Sequence, residues 1–373
     1  MGTHGGRGSR TTVAGVLLLL AMLALAACGG TGGTAVSPSV TPSGSASGPS
    51  QQRELAWSFK TGAAIHSSAA VSHGVVYVGS DDGRLYAVDV QSGQQKWQFK
   101  TGGKVRSSPA VAGGTVYCRS SDGYLYAVDI QSGQERWASK TGGPAASSPA
   151  VAGGVVYVAS NDGYLQALDG RSGQERWKFS RRGLGGIYSP SPAVSNGVVY
   201  YGTGDLYALD GRTGQKKWRF NAGAVLRATP AISDGVVYLR CTGFMNGVHA
   251  VDRQSGQLKW HFETGDVVVS SPAVGHGVVY CGGDGGHLYA VGSQSGREEW
   301  SSGPGLAGAS SSPAVAGAVV YVGSDDGILY ALHVITGNEI WQFKTGAGVL
   351  SSPAVSHGVV YVGSDDGYLY AVK

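Results

Sequence analysis

Cysteine and methionine are scarce in this chain, with four and three residues among 373. No CxxC pair and no two adjacent cysteines occur, so neither a disulfide framework nor a zinc site is indicated. Charge is sparse too: 14% of residues are Asp, Glu, Lys or Arg and the net charge is +4, which is not the basic footprint of a nucleic-acid binder. There is no GxSxG elbow, HExxH helix or Walker loop, and the nine histidines show no ligand spacing. Long stretches of 3.6-residue apolar period are missing as well, which excludes solenoids of paired helices.

What the chain has is a ladder of eight tryptophans: Trp57, Trp97, Trp137, Trp177, Trp218, Trp260, Trp300 and Trp341, spaced by 40, 40, 40, 41, 42, 40 and 41 residues. A fixed period near 40 marks one supersecondary unit copied along the chain, which cannot bury its apolar faces alone and stacks on its neighbours. One unit reads as four short segments, residues 105–111, 115–118, 124–129 and 135–140, separated by Gly113-Gly114, Ser121-Asp122-Gly123 and Ser132-Gly133. Runs rich in Val, Tyr, Leu or Trp between Gly, Asp and Ser turns are the strands of an antiparallel meander. Four strands per unit describe a propeller blade.

Counting the copies predicts closure. The second strand begins eight times, at Val75, Thr115, Val155, Val198, Val236, Val278, Val319 and Val359. The turn before the tryptophan strand occurs seven times, at Gly93, Gly133, Gly173, Gly214, Gly256, Gly296 and Gly337. The tryptophan strand at 55–60 has no strands before it, and the last copy stops at Lys373 without one. The expected fold is therefore all-β, an eight-bladed β-propeller of four-stranded antiparallel blades whose N-terminal strand completes the last blade, removing two exposed sheet edges.

The stretch from Ala87 to Trp97 has the form AxDxx[ST]GxxxW, which recurs from Ala127, Ala167, Ala208 and Ala250; Gly292 and His333 replace the acid in two further copies. This motif resembles the tryptophan-docking motif of the pyrroloquinoline quinone (PQQ) repeat family. The chain is also similar in build to the propeller lipoproteins of outer-membrane β-barrel assembly. The resemblance implies that each tryptophan packs between blades, with Ala and Gly making room and Asp bonding locally. Burial of each indole is worth about 1.5–3 kcal/mol before entropy is subtracted. Quinone-dependent dehydrogenases of the family add long insertions, an adjacent cysteine pair, calcium ligands and a catalytic aspartate, none of which this sequence has. Calcium needs six to eight gathered oxygens, whereas Asp81-Asp82, Asp122, Asp162, Asp284, Asp325-Asp326 and Asp365-Asp366 sit in separate hairpins where Asp-Gly pairs favour tight turns. No catalytic residue, metal, PQQ or calcium is expected. A PQQ-dependent dehydrogenase, or an extracellular sensor module working with a separate membrane signalling partner, are the alternatives.

At the N-terminus, His4, Arg7 and Arg10 precede an apolar run from Val13 to Ala27, short for a bilayer span, so residues 1–27 read as a secretory signal. Leu25-Ala26-Ala27-Cys28 resembles a bacterial lipobox, which implies lipidation of Cys28. Residues 28–50, rich in Gly, Ser, Thr and Pro, read as a flexible lipid-anchored tether, and 51–373 as the propeller. Without residues 1–27 the chain has 26 basic and 24 acidic residues, a net +2. The expected protein is an extracytoplasmic monomer, lipid-anchored to a bacterial membrane.

Because shared positions serve packing, function is sought where copies differ. Just before the SSPAV strand the equivalent positions hold His66, Arg106, Ala146, Ser189, Arg227, Val269, Ser310 and Leu350, predicting a funnel mouth that is basic on some blades and apolar on others. The loop 180–188 is three residues longer than its counterpart and brings Arg181, Arg182 and Tyr188 to the same face. The hairpin 241–247 is two residues longer and carries Phe244 and Met245, while Thr203-Gly204-Asp205 is shorter and leaves a notch. Arg and Tyr are enriched at interface hot spots. The expected role is a non-catalytic binding scaffold for an envelope protein or an anionic ligand.

Overall fold

The computed structural model describes residues 51–373 apart from 144–146, 181–189, 223, 227, 244–245, 304 and 307. Eight blades form the predicted ring. Blades 1 to 7 span residues 70–100, 110–140, 150–180, 193–221, 231–263, 273–301 and 314–344, each a meander of four antiparallel strands in chain order. Blade 8 takes three strands from residues 354–372 and its outermost strand, Leu55–Lys60, from the other end of the chain. There Trp57 pairs with Ala371 and Lys60 with Tyr368 in antiparallel register. The backbone N–H of Lys373 donates to the Glu54 carbonyl at 3.0 Å, which brings the two ends of the ring together.

Burial follows strand position. Second strands such as Val75–Gly79 are buried along their whole length because both faces pack on neighbouring blades. Outermost strands such as Leu55–Lys60 alternate exposed and half-buried residues. Hairpins between second and third strands, and the loops that lead to the next blade, form one face of the ring, called the upper face here. Hairpins between first and second strands and the tryptophan-motif turns form the lower face.

Seven tryptophans dock as the motif implies. Each indole N–H donates to a carbonyl in the next blade's turn, from Trp57 to Val90 at 2.9 Å through Trp300 to Val334 at 2.9 Å. The turn glycine lies on the ring: a Cβ on Gly133 would sit 2.7 Å from Trp97, at a φ of +70°. In blades 1 to 5 the motif Asp caps its own turn. Asp89 Oδ1, for example, accepts from Gln91 N–H, Ser92 N–H and Ser92 Oγ–H. Trp341 lies at the seam, covered instead by the Arg53 guanidinium 5.6 Å from the ring centroid.

Three features go beyond the repeat as read. The hairpin acids do more than shape turns. Asp82 Oδ1 accepts the Arg84 N–H, while Oδ2 accepts the Tyr86 hydroxyl and, at 2.8 Å, the N–H of Gly62 from the preceding inter-blade loop. Asp122 with Gly102 and Asp366 with Gly346 repeat this latch at 2.8 Å. Second, serines of the innermost strands link blade to blade. Ser68 N–H donates to Ser108 Oγ, Ser108 to Ser148, Ser148 to Ser191, Thr229 to Ser271, Ser271 to Ser312, Ser312 to Ser352 and Ser352 back to Ser68, at 2.8–3.2 Å. Third, two sheets gain a fifth strand. Ala224–Val225 pairs with Thr242 and Gly243 of blade 5, and Gln51–Gln52 runs parallel to Trp341–Gln342 on blade 7.

Candidate binding face

The inter-blade loops bring His66 and Arg106 to the upper face, where both meet acids. Arg106 clasps Asp81 with two charge-assisted hydrogen bonds, Nε to Oδ1 at 2.8 Å and Nη2 to Oδ2 at 2.6 Å. Lys104 Nζ adds a third at 3.0 Å. His66 bridges two blades, with Nε2 3.1 Å from Asp365 and Nδ1 3.5 Å from Asp81. The Arg106 guanidinium holds the Asp81 carboxyl well below the usual carboxylate range, and the carboxylate in turn raises the Arg106 pKa. The expected basic arc is thus an ion-pair cluster of Arg106, Lys104 and Asp81 at blades 1 and 2, with the His66 ring between Asp81 and Asp365. Asp81 is only 8% exposed, while Lys104 and Arg106 are 53% and 46% exposed, so both keep donors available to a partner.

Of the other residues singled out from the sequence, Arg181, Arg182, Tyr188, Arg227, Phe244 and Met245 lie outside the described residues, as do Cys28, Ala146 and Ser189. The stems that carry some of them are described. Strand Val236–Gly243 runs eight residues where its counterparts run five or six, and Ala224–Val225 from the preceding loop covers its end. In blade 4 the hairpin closes on Gly204 alone, with Thr203 paired to Asp205, and Arg219 Nε sits 2.8 Å from Asp205. Val269, Ser310 and Leu350 are half-buried members of the mouth ring.

Two arginines escaped the sequence reading. The fifth position of the second strand is Gly79, Ala159, Gly202, Gly282, Gly323 and Gly363 in six blades, but Arg119 and Arg240 in the others. Arg119 is completely buried and donates to the Ala159 carbonyl and, at 3.4 Å, to the Gly143 carbonyl. Burial pulls its pKa down to about 10. Arg240 donates to the Val269 carbonyl. Both tie their strand to the segment that leads into or belongs to the adjacent blade, and the lapse from glycine was the signal that could have found them.

The described side chains of this face offer ionic and hydrogen-bond contacts. Cys118, Cys241 and Cys281 are buried, and desolvation pushes each thiol up to about 12, away from nucleophilic thiolate. Among the described residues no three His, Cys, Asp or Glu side chains gather to hold a metal ion. The acids Asp82, Asp122 and Asp366 are committed to backbone N–H groups and tyrosine hydroxyls.

Comparison with known proteins agrees with the architecture. No curated protein matches the chain. Among solved structures, BamB from Moraxella catarrhalis is similar at 19% identity and a TM-score of 0.74, covering 86% of this chain and 99% of that one. The computationally designed protein Ika8 reaches 20% identity and a TM-score of 0.75, with 86% and 99% covered. Quinohemoprotein alcohol dehydrogenase from Comamonas testosteroni reaches 17% and 0.73, with 86% and 76% covered. At such identities these likenesses speak for the fold. The family profile described as outer membrane protein assembly factor BamB matches in overlapping windows, 49–180, 123–219, 161–303, 202–342 and 295–373, so that the whole propeller is spanned. The chain therefore belongs to the outer membrane protein assembly factor BamB family.

Proposed function

We propose that this protein is an extracytoplasmic scaffold, lipid-anchored through Cys28 and a tether of residues 28–50, whose upper face binds a protein of the cell envelope without chemistry of its own. The observation that carries this reading is that, among the described residues, the departures in hairpin length and the one cluster of ion pairs across blades lie together on the upper face. The extended hairpin of blade 5, the shortened hairpin of blade 4 and the Asp81 cluster all lie there. Fold packing needs none of them, since the other blades close without them. Half-exposed Arg106 and Lys104 beside buried Asp81 offer directed donors. The family supports an envelope location and a role in protein–protein contact.

The dehydrogenase reading draws on the fold it shares with the quinohemoprotein enzyme. Among the described residues Asp82, Asp122 and Asp366 serve separate latches and Asp89 caps its own turn, so these acids do not gather the oxygens that calcium requires. Charge reversal of Arg106, Arg181 and Arg227 together is expected to abolish capture of a partner from native membrane extract, with the fold retained. Unchanged capture assigns binding to another surface.

A further inference from the structure

Blade 5 breaks the repeat at two facing positions at once. In six blades the third strand carries a tyrosine in register with a residue of the outer strand, Tyr86 with Gln98 for example, and blade 3 carries Gln166 there. Tyr86, Tyr126 and Tyr370 donate their hydroxyls to the aspartate of their own hairpin at 2.5–2.7 Å. Blade 5 has His249 opposite His261 instead. The His249 ring is 1% exposed, closed off by Phe220 of blade 4 at 6.1 Å, and its Nδ1 is buried without a hydrogen-bond partner among the described residues. Leaving a buried polar atom unpaired costs about 1–3 kcal/mol, which a phenylalanine at this position avoids, so packing does not account for the imidazole. The His261 ring lies 4.4 Å away, centroid to centroid. Its Nε2 stands 3.4 Å from the Asn246 carbonyl, longer than an ordinary hydrogen bond, and its side chain is half-buried, which leaves an approach from solvent. Burial first and His261 second lower the His249 pKa to about 4, with no lysine or arginine contributing. The imidazole is therefore neutral near pH 7 and has no proton to lose before it meets a cation.

We infer that His249 and His261 form a binding site for a divalent metal ion of the zinc type, with the Asn246 carbonyl and water completing its shell. Two nitrogens held 2.0–2.1 Å from one ion lie at most about 4 Å apart, a span that rings with centroids 4.4 Å apart can adopt. Imidazole nitrogen suits zinc, copper and nickel, whereas calcium and magnesium take oxygen ligands. Structural and catalytic zinc sites use three or four protein ligands, so an ion on two imidazoles and a carbonyl is held loosely and exchanges. Strand register makes the pair, not a sequence motif. An ion there ties Asn246, at the foot of the lengthened hairpin of blade 5, to the outer strand Leu258–Glu263. This inference does not rest on the upper-face reading.

Isothermal titration of the full-length protein with zinc chloride near neutral pH tests it. Saturable binding is expected, weakened at least about tenfold in His249→Phe and in His261→Gln. Blades 1 and 7 carry glutamine at the His261 position, so the second variant keeps the blade intact. Binding should be unchanged in His276→Gln, whose exposed imidazole meets the Gly317 carbonyl on another blade. In nitrogen-15 spectra of the imidazoles, zinc should shift the ring signals of His249 and His261 before those of any other histidine. Absent binding, equal binding by the wild type and both variants, or an equal loss in His276→Gln overturns the inference and leaves the two rings as a packing pair.

Discussion

At the residue scale, the tryptophan motif separates a contact from a backbone angle. Gly133 and Gly113 both have positive φ, +70° and +55°, but a Cβ at 133 would strike Trp97 whereas one at 113 meets nothing within 4 Å. Gly113→Ala is expected to cost about 1 kcal/mol, the left-handed penalty alone, and Gly133→Ala clearly more; denaturant midpoints of the two variants measure the difference. Trp97→Ala should cost about 3–5 kcal/mol, because it empties a pocket between blades and removes the bond to Ile130. His249 gives a pH dependence. Its ring is 1% exposed, stands where most blades carry a tyrosine, and packs 4.4 Å from His261, so burial first and His261 second lower its pKa from 6.5 to about 4. The unfolded chain therefore takes the proton first as pH falls. Its contribution to stability is complete above about 6.5 and is lost through the window down to about 4, by roughly 3 kcal/mol. His249→Phe should flatten stability across that window in urea titrations at several pH values.

At the element scale, strands, hairpins and their order were legible because each blade repeats one alternation of apolar runs and Gly-rich turns. The latches were not. An Asp in an Asp-Gly turn is already accounted for by the turn, so nothing in the sequence points from Asp122 to Gly102 or Tyr126. The serine ring was hidden for the same reason, since Ser108 looks like any strand residue until Ser68 and Ser148 are placed beside it. On the upper face, the sequence singled out His66 and Arg106 but not the acid they both approach, because Asp81 lies in a different hairpin and pairing across blades has no sequence period. Asp122→Ala should cost about 1–3 kcal/mol by leaving the Gly102 N–H and the Tyr126 hydroxyl without their acceptor. Arg106→Ala should cost about 1–3 kcal/mol, since Asp81, 8% exposed, loses two charge-assisted bonds and keeps only Lys104. Thermal melts of the two variants check both costs.

At the scale of the whole molecule, closure couples the chain's ends to every blade. The strand Leu55–Lys60 seals blade 8, the Ser352–Ser68 bond completes the inner ring, and Arg53 caps the seam at Trp341. A chain lacking residues 1–61 leaves the edge of Tyr368–Val372 unpaired and should associate or aggregate rather than persist as a monomer, which light scattering would register. The ring also fixes two faces of different character, with the repeat broken on the upper face in blades 4, 5, 8, 1 and 2 and kept in the lower turns of blades 1 to 5. The central functional claim, that the upper face is the binding surface, is tested most directly by photo-crosslinking in intact cells. A photoreactive residue is placed at Lys104 on the upper face and, for comparison, at Gln131 in a lower turn. A discrete protein adduct from position 104 with none from 131 is the predicted result; adducts of equal yield from both positions, or none from 104, would contradict it.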